Sequence, residues 1–525
     1  MPMLQSPLYG HEIELKLKLE PADMTRLKRS ALLSEFQTTK PKTATLASIY
    51  WDTPDLTLAA QGITIRIRAE GRKRIQTVKT AGTRSAALHS RQEWEWPILS
   101  DHPNFHLLAG TGLPLLKDPD LVQQLIPIYT TEFKRTFYRL GTDEWEIELA
   151  LDHGKVGTGN VTAPICEVEL ELIRGSAIAL VDFAARIVQT VPARLLTIPK
   201  SERGHHLITG WKPTPAKATP GEVSTDMTVG QTFRAIGRNC VNQMIANEHC
   251  LINNGDPEAI HQMRVALRRL RSAIRLFRDL LTSPQNDAIR EELRWLQASL
   301  GPARDTYVFL EEIVAPVVLA HPETAPLLAL RAHWSQESAT HVKHAMDSVG
   351  EPRFTSLILS LVGWIEAGQW LDEDAVAETR DQPITNFAKQ ILAKQDKRLR
   401  RAATDEPTAL PMEDLHNLRI LCKQLRYTSE FFAALFPKKL VKVHLTALSE
   451  LQEVLGQLHD IAVAAERLGQ ATSTQDGAAL NTPDNGRAWA AGLVAGWHTG
   501  RLPGLLSQVD GLWRKYCAAE RYWKD

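Results

Sequence analysis

The sequence predicts an α+β multidomain protein in which an antiparallel β domain precedes an all-α, duplicated helical bundle. Three observations support this prediction. Apolar and charged residues alternate with a period of two through residues 1–210, the apolar period changes to about 3.6 from residue 225 onward, and two motifs recur at one offset in the second half. The 525 residues also exceed one ordinary domain, which spans about 100–200 residues.

Five segments of the first half alternate strictly and are predicted as strands: 11–20, 62–70, 91–98, 144–152 and 165–173. Successive side chains of a strand point to opposite faces, so each of these strands has one charged face and one apolar face. Residues 21–33 and 175–191 carry helical spacing and are predicted as helices. We therefore assign residues 1–210 to one β domain.

A proline-rich stretch separates the two halves. Residues 211–224 contain three prolines and one glycine among polar residues, which indicates a stiff linker. Residues 225–525 then show the spacing of amphipathic helices and are predicted to be all-α. Within this half, 350–385 carries no recognisable chemistry and resembles an insertion or a loop.

The second half repeats itself. HQMRVALRRLRSAIRLF begins at His261 and HNLRILCKQLRYTSEFF begins at His416, 155 residues apart. The segments ASLGPARDTYV and EVLGQLHDIAV place Asp305 and Asp460 at the same offset. Two motifs at one offset indicate a duplicated bundle with repeats at about 225–370 and 380–525. Both of the latter segments contain a Leu-Gly pair, and we call them the leucine–glycine segments. We expect them to turn or end helices, with Asp305 and Asp460 each either orienting a basic residue or capping a helix.

Charge and cysteine content limit the class of protein. Lys plus Arg and Asp plus Glu both total 61, so function must depend on local charge. A hydrophobic content of 43% with 23% charged residues excludes a disordered chain and a membrane bundle. The five cysteines are widely spaced without a Cys-x-x-Cys motif, which favours a reducing compartment. With no signal peptide or long apolar run, we expect a cytoplasmic protein that spans no membrane.

The charged faces of the predicted strands indicate a chemistry for the β domain. Such a face is ordinarily solvated, but here several strands carry successive acids and bases opposite heavily apolar faces. A closed barrel would direct these charges into one lumen, where like charges about 5–6 Å apart repel by roughly 0.7 kcal/mol even in water. Divalent metal ions and a bound polyanion would offset this repulsion. The pattern favours metal-assisted phosphoanhydride hydrolysis, and the absence of G-x-x-x-x-G-K-S/T excludes a P-loop NTPase.

The β half also contains an ordered series of motifs. The series is Glu12-x-Glu14-x-Lys16, YWDTPDLTLAAQGITIRIR (50–68), Lys79, RQEWEW (91–96), Arg135, EIELALDHG (146–154), PICEVELEL (164–172) and PKSERGHHL (199–207). It resembles the CYTH domain of the triphosphate tunnel metalloenzymes over residues 1 to about 210. The resemblance implies an eight-stranded antiparallel tunnel that binds triphosphate with Mg²⁺ or Mn²⁺ and uses water as the nucleophile.

The same resemblance implies site residues. Metal would be bound by an acidic set, Glu12, Glu14, Glu169 and Glu171, together with Asp152 in the same lining. Phosphate oxygens would be held by Lys16, Arg66, Arg68, Lys79, Arg91, Arg135 and Lys200, the last on a helix that plugs one tunnel end. Further residues with the inward phase are Lys18, Glu93, Glu95, Glu146 and Glu148. We expect Tyr50, Trp51 and Asp52 to fix the second strand instead of touching substrate, and no paired metal site at His205 and His206.

The helical half carries two basic stripes. They consist of His261, Arg264, Arg268, Arg271 and Arg275 in the first repeat and His416, Arg419, Lys423 and Arg426 in the second. Residues three or four apart share one helix face, and the first stripe lacks acidic neighbours, so the pair would form a positive groove for a linear polyanion. These residues, except Arg275, resemble those of the CHAD domain, over about 225–525. This resemblance implies that they bind inorganic polyphosphate.

The combined interpretation is a bacterial-type CYTH–CHAD inorganic triphosphatase that cleaves tripolyphosphate to pyrophosphate and phosphate. One alternative is a different reaction in the same tunnel, either adenylate cyclase or thiamine triphosphatase. Another is an adaptor that binds polyphosphate without catalysis. Nucleic-acid binding is disfavoured because the net charge is zero and no aromatic stacking array accompanies the basic helices. The sequence does not specify the oligomeric state.

Overall fold

A computed structural model describes residues 8–85, 88–219, 221–281, 283–403, 406–472 and 483–524. The chain divides into two compact units. The first unit ends at Thr214 but also includes the later segment Val349–Ala367, and the second contains Pro215–Ser348 and Gly368–Asp525. No helix among the described residues combines the length and the apolar character needed to cross a membrane.

The strands all lie in the first unit. They are β1 Leu8–Lys18, β2 Lys42–Asp52, β3 Thr64–Glu70, β4 Lys73–Lys79, β5 Thr83–Ser85, β6 Leu88–Ile98, β7 Ile126–Gly141, β8 Glu146–Thr158, β9 Val161–Arg174 and β10 Arg194–Leu195. The strand order is β10-β1-β9-β8-β7-β2-β3-β4-β6-β5, and β1 also pairs with β6. This last pairing closes eight antiparallel strands into a barrel, with β5 and β10 added at its margins. The predicted antiparallel β domain is therefore confirmed.

The helices fall into two sets along the chain. The first set is α1 Pro21–Lys28, α2 Ala31–Phe36, α3 Thr57–Ala60, α4 Phe105–Ala109, α5 Pro119–Gln123, α6 Ala177–Thr190 and α7 Lys200–Thr209, with a 3-10 turn at Pro114–Lys117. The second set is α8 Val229–Asn254, α9 Pro257–Leu276, α10 Pro284–Val308, α11 Ala315–Ala320, α12 Ala325–Gly350, α13 Pro352–Ala367, α14 Ala377–Asp381, α15 Ile384–Arg401, α16 Met412–Phe432, α17 Lys438–Thr472, α18 Pro483–Thr499 and α19 Leu502–Ala518. Short 3-10 turns lie at Gln369–Leu371, Asp374–Val376, Pro407–Ala409 and Ala433–Leu435, and a π-helical turn at Phe309–Val314 joins α10 to α11. The predicted helical region after the β domain is confirmed.

The apolar face of the barrel points outward and is covered by helices. Leu15 and Leu17 of β1 are fully buried on this face, as are Val168 and Leu170 of β9. On the far side of the barrel, Leu58 of α3 belongs to a core that includes Ile65, Trp94, Leu108 and Val122. Burying the outer face leaves the alternate side chains, which are mostly charged, directed into the barrel.

One helix of the first unit comes from far along the sequence. α13 packs on α6 and beside β10, and α6 in turn packs on β1 and β9. Nearly every turn of α13 is buried, including Phe354, Ile358 and Trp364. The interpretation of 350–385 as an insertion or a loop is therefore wrong for this helix. A helix that is apolar all round must be buried in a core, and α13 belongs to the core of the barrel unit.

Candidate active site

The barrel encloses a cavity of about 280 Å³. The charged side chains that line it are Glu14, Lys16, Arg66, Arg68, Glu70, Lys79, Glu93, Glu95, Arg135, Glu148, Glu169, Glu171 and Lys200. Apolar and neutral lining comes from Leu46, Tyr50, Thr64, Thr77, Phe133, Phe137, Ala150, Pro199 and Ser201. The structure thus brings most of the implied tunnel residues together, because at least six strands direct their alternate, mostly charged side chains into one lumen.

Glu169 contacts three cations in this cavity. Lys16 Nζ lies 2.5 Å from Glu169 Oε1 and Lys200 Nζ lies 2.9 Å from it. Arg135 donates to the other carboxylate oxygen. Burial alone would raise the pKa of Glu169, but the three cations outweigh burial and hold it well below its ordinary value. Glu169 therefore stays ionised.

Two further acids sit behind Glu169 at the plugged end. Asp152 is fully buried and accepts a bidentate pair of bonds from Arg135, at 2.6 Å from Nε and 2.5 Å from Nη2. Glu167 is also fully buried and accepts from Lys200 and Arg203. One carboxylate oxygen of each of Asp152, Glu167 and Glu169 lies within 4.8 Å of the other two, which is metal-ligand spacing. Sequence reasoning assigned no role to Glu167, although its phase along β9 matches that of Glu169.

A row of acids crosses three neighbouring strands further along the tunnel. Glu14 of β1 is directly opposite Glu171 of β9, and Glu171 is opposite Glu148 of β8. We call these three residues the acidic row. Like charges at directly opposed positions destabilise a sheet, so this row needs compensating positive charge. Lys16 Nζ lies 2.8 Å from Glu14, and Arg139 lies 3.2 Å from Glu148.

The opposite wall, on β3, β4 and β6, carries the cations Arg66, Arg68 and Lys79. Arg66 and Arg68 approach Glu95 at 3.6 and 3.5 Å, and Thr77 donates to Glu95 at 2.9 Å. Burial lowers the pKa of Arg68, and the neighbouring Arg66 lowers it further. Lys79 is 2.9 Å from Glu93. The two guanidinium groups thus share the one carboxylate of Glu95, whereas over the whole described lining of these strands three cations accompany three acids, Glu70, Glu93 and Glu95.

Helix α7 closes one end of the cavity, and we call it the plug helix. Lys200 begins this helix and reaches Asp152, Glu167 and Glu169 together, the first at 2.6 Å. Tyr129 Oη donates to the Ser201 carbonyl at 2.8 Å. A Cβ atom on Gly204 would lie 2.2 Å from the Tyr129 ring, so only glycine lets the plug helix approach this closely.

Several predicted residues lie elsewhere. The side chains of Glu12 and Arg91 fall outside the described residues. Lys18 is exposed and does not line the cavity. Glu146 pairs with Arg139 at 3.5 Å away from the cavity lining. Asp152 is buried behind Arg135 and Lys200 instead of lining the open space.

Tyr50 corrects an expectation. It lines the cavity and stacks on Tyr129 at 4.4 Å between ring centroids, so it does more than fix its strand. Trp51 packs in the outer core as expected. Asp52 accepts from the backbone N–H groups of Leu58 and Ala59 at 2.9 Å, which anchors α3.

In the second unit, the two basic stripes lie on α9 and α16 and meet. His416 and His459 bring their Nδ1 atoms to 3.0 Å, so one ring donates and the other accepts. Burial lowers the pKa of His459 to about 4, with contributions from Arg419 and His416. Burial, Arg419 and Arg268 of the other repeat together lower the pKa of Lys423 to about 8. Side chains from both repeats therefore form one basic cluster, made of His261, Arg264, Arg268, His416, Arg419, Lys423 and His459.

The leucine–glycine segments support this cluster instead of ending helices. Asp305 lies inside α10 and pairs with Arg264 at 3.1 Å, and Asp460 lies inside α17 at 3.8 Å from Arg419. A Cβ atom on Gly301 would lie 3.1 Å from Arg264, so the glycine gives the guanidinium its space. The expectation of helix ends is wrong, and each aspartate orients an arginine.

The basic cluster holds donors that its own acids leave unused. In the part of the chain that the structure describes, the buried Nε groups of Arg264, Arg268 and Arg419 and the buried Nδ1 of His261 form no hydrogen bond. Buried donors normally have partners, and leaving one without a partner costs about 1–3 kcal/mol. The cluster is therefore suited to an anionic ligand with many oxygen atoms.

Comparisons with known proteins agree with this architecture. The CYTH domain family matches residues 10–200 and the CHAD domain family matches residues 235–469. An inorganic triphosphatase of Haemophilus influenzae is 34% identical over 201 residues, which cover 37% of this chain and 54% of that protein, so the match spans about half of its length. An uncharacterized protein of Mycobacterium tuberculosis is 24% identical over 82% of this chain and 85% of its own.

A solved structure adds a comparison for the helical half. The crystal structure of the CHAD domain from the plant Ricinus communis is 28% identical, covers 58% of this chain and 98% of its own, and has a TM-score of 0.49. The two family matches follow the order of the two kinds of secondary structure described above. The chain therefore contains a CYTH domain, which forms the barrel, followed by a CHAD domain in the helical region.

Proposed function

We propose that this protein is a metal-dependent inorganic triphosphatase that hydrolyses tripolyphosphate in the barrel. The observation that supports this most is one cavity inside the barrel in which the acidic row lies together with arginine and lysine side chains. The inorganic triphosphatase from Haemophilus influenzae, which is similar to the barrel region, agrees with a triphosphatase hydrolase at the level of this domain.

The acidic row fits a divalent metal. Its three carboxylates lie side by side on β1, β9 and β8 and line the cavity, and oxygen ligands of this kind suit Mg²⁺ or Mn²⁺. Glu14 and Glu171, with Glu169 beside them, would hold the ion. A bound ion would supply charge neutralisation and polarise phosphoryl oxygens. Asp152 and Glu167 are less suited, because both are fully buried and neither lines the cavity.

The arginines of the cavity and Lys79 would hold the phosphate chain. Arg66, Arg68 and Arg135 present planar guanidinium groups that match pairs of phosphate oxygens, and Lys79 adds a point charge. Charge spreads over the equatorial oxygens as the phosphoryl group transfers, so fixed cations stabilise the transition state more than the ground state. Water is the nucleophile in this proposal.

The aromatic lining favours an inorganic substrate over a nucleotide or thiamine triphosphate. Arg135 lies 5.4 Å from the Phe133 ring centroid and 5.6 Å from that of Phe137, and Lys200 lies 5.0 Å from Phe133. Tyr50 is stacked on Tyr129. These rings are already engaged by cations or by each other, so the described lining offers a base no free ring on which to stack.

Metal removal gives the direct test of this function. With Mg²⁺ or Mn²⁺, the protein should release phosphate from tripolyphosphate, and chelation should reduce the rate at least 100-fold because the acidic row then repels the phosphate chain. Steady-state phosphate release, compared among tripolyphosphate, ATP and thiamine triphosphate, measures both points. Turnover that persists in chelator, or a preference for ATP, would refute the proposal.

We further propose that the basic cluster of the second unit binds inorganic polyphosphate. The support is the set of buried arginine Nε groups without partners and the convergence of both repeats on one site. Asp305 and Asp460 are the two acids paired with cluster arginines among the described residues, so the cluster keeps a positive excess.

Polyphosphate affinity should fall about tenfold between pH 7 and pH 9. The pKa of Lys423 is about 8, because burial, Arg419, Arg268 and Arg426 lower it more than Asp460 raises it. A bound polyanion favours the ammonium form of Lys423, so above pH 8 this side chain must gain a proton when the ligand binds. The apparent affinity therefore falls by up to tenfold per pH unit. Lys423→Arg should remove this fall, since arginine stays charged.

Fluorescence titration with labelled polyphosphate at each pH, without divalent metal, measures the effect. The conservative Lys442→Arg variant, in an exposed position of α17, is the control and should keep the wild-type pH profile. An equal fall in Lys423→Arg would show that Lys423 does not contact the ligand.

A further inference from the structure

The two basic stripes end differently. Residues 155 apart correspond, so Arg271 matches Arg426 and Arg275 matches Glu430. In the second repeat, Arg426 Nε pairs with Glu430 at 3.3 Å, which neutralises the end of that stripe. In the first repeat, Arg271 is close to Arg275 and to Arg294 of α10, and burial together with these two cations lowers its pKa. The positive stripe therefore continues along α9 alone.

This continuation leads into a second pocket of the same unit, which we call the distal pocket. It has a volume of about 210 Å³ and lies between the last turns of α9, the middle of α15 and α16. Its lining residues are Ser272, Arg275, Leu276, Arg278, Asp279, Ile391, Lys394, Gln395, Arg398, Gln424 and Thr428. Gln424 directly follows Lys423 of the basic cluster, so the two sites adjoin through α16 as well as through α9.

The distal pocket has more cations than it can neutralise. Arg275, Lys394 and Arg398 are exposed and make no ion pair with a described carboxylate, whereas Arg278 pairs with Asp279 at 3.3 Å. Ser272, Gln424 and Thr428 place polar side chains between these cations. Basic side chains around a polar floor are suited to phosphate oxygens.

We propose that the distal pocket is a second anion subsite, so that the helical unit binds linear phosphate chains long enough to reach from the basic cluster to Arg275, Lys394 and Arg398. This inference rests on the proposed binding at the basic cluster. From His261 to Arg275 the helix rises by about 21 Å, at 1.5 Å per residue. Tripolyphosphate has only three phosphate units and is too short to reach from His261 to Arg275.

The test compares chain lengths on the intact protein. Wild type, Lys394→Gln/Arg398→Gln and the control Lys438→Gln/Lys442→Gln are titrated with long-chain polyphosphate and with tripolyphosphate, without divalent metal and at several salt concentrations. The control removes the same charge from the pocket beside Arg426 and Glu430. All substitutions are in the second unit, so any tripolyphosphate binding in the barrel is the same in all three proteins.

The distal variant should bind long-chain polyphosphate about tenfold more weakly and lose about 1.4 from the slope of log affinity against log salt, because two phosphate contacts are removed. Its affinity for tripolyphosphate, and both affinities of the control, should stay within twofold of wild type. An unchanged long-chain affinity in the distal variant would overturn the subsite while leaving the basic cluster intact.

Two other outcomes would also overturn it. If wild type binds no polyphosphate, the proposed binding function fails together with the subsite. If single-stranded RNA of similar length binds wild type as tightly and loses affinity equally in the distal variant, the pocket recognises a general polyanion and its assignment to phosphate chains is wrong.

Discussion

Glu169→Gln should lower kcat/KM for tripolyphosphate by about 1,000-fold, at the upper end of what one electrostatic group contributes to a transition state. Glu169 accepts from Lys16, Arg135 and Lys200, so its charge both holds these cations in place and faces the proposed metal. Glutamine keeps the shape but removes the negative charge, which leaves three cations without their common partner. Steady-state kinetics across a metal titration measures the loss.

The matched control is Glu132→Gln. Glu132 is on the outer face of the barrel, its side chain is 62% exposed, and it lies 3.7 Å from Lys155. An exposed pair of this kind contributes at most about 1 kcal/mol, so activity should stay within twofold of wild type. Thermal unfolding of both variants separates loss of the site from loss of the fold. A folded Glu169→Gln protein with near wild-type turnover would refute the assigned role.

Gly204→Ala should reduce kcat/KM by about 100-fold and the free energy of unfolding by about 2 kcal/mol. The new methyl group would overlap the Tyr129 ring, with Cβ only 2.2 Å from a ring carbon, so the plug helix must move outward. Lys200 begins that helix and would lose its position between the buried acids. A shift of about 1 Å in a positioned group costs roughly 100-fold in rate.

Gly363→Ala is the control for this substitution. Gly363 is inside α13, and a Cβ atom there would meet no other atom within 4 Å. Alanine is favoured over glycine in a helix interior by roughly 0.5–1 kcal/mol, so this variant should be as stable as wild type or more so, with normal activity. Equal stability and activity in both variants would show that the contact with Tyr129 does not hold the plug helix.

Alternation along the strands predicted the inward acids and bases because the period of a strand fixes which side chains share a face. Glu169 and Lys16 followed from this local rule. The rule does not predict how far along the barrel axis a side chain lies. It therefore could not distinguish Glu167, which is buried under the plug helix, from Glu171, which lines the open cavity. That difference depends on where α7 docks.

Tyr50 was missed for a related reason. In the paired strands it is directly opposite Arg66, so the two share one face of the sheet. The phase of Arg66 was clear from its own strand, but the register that relates it to Tyr50 depends on pairing between segments about 16 residues apart. The YWD segment suggested only a strand anchor, which describes Trp51 and Asp52.

The helical unit shows what a repeat can and cannot predict. The constant offset identified His261 and His416 as equivalent positions, and their side chains do belong to one cluster. Helical spacing, and not the repeat, placed Arg275 on the first stripe, and its role depends on α15, which supplies Lys394 and Arg398 to the distal pocket. That contact is formed by the tertiary fold alone.

The placement of α13 affects how the chain must be made. Synthesis proceeds from the N-terminus, so the barrel leaves the ribosome well before Val349–Ala367, which completes its unit, has been translated. Until then the face of α6 that receives α13 stays open to water and to other nascent proteins. Cleavage of the chain in the proline-rich linker (211–224) would leave this apolar surface permanently exposed, and the N-terminal fragment would then be prone to aggregate.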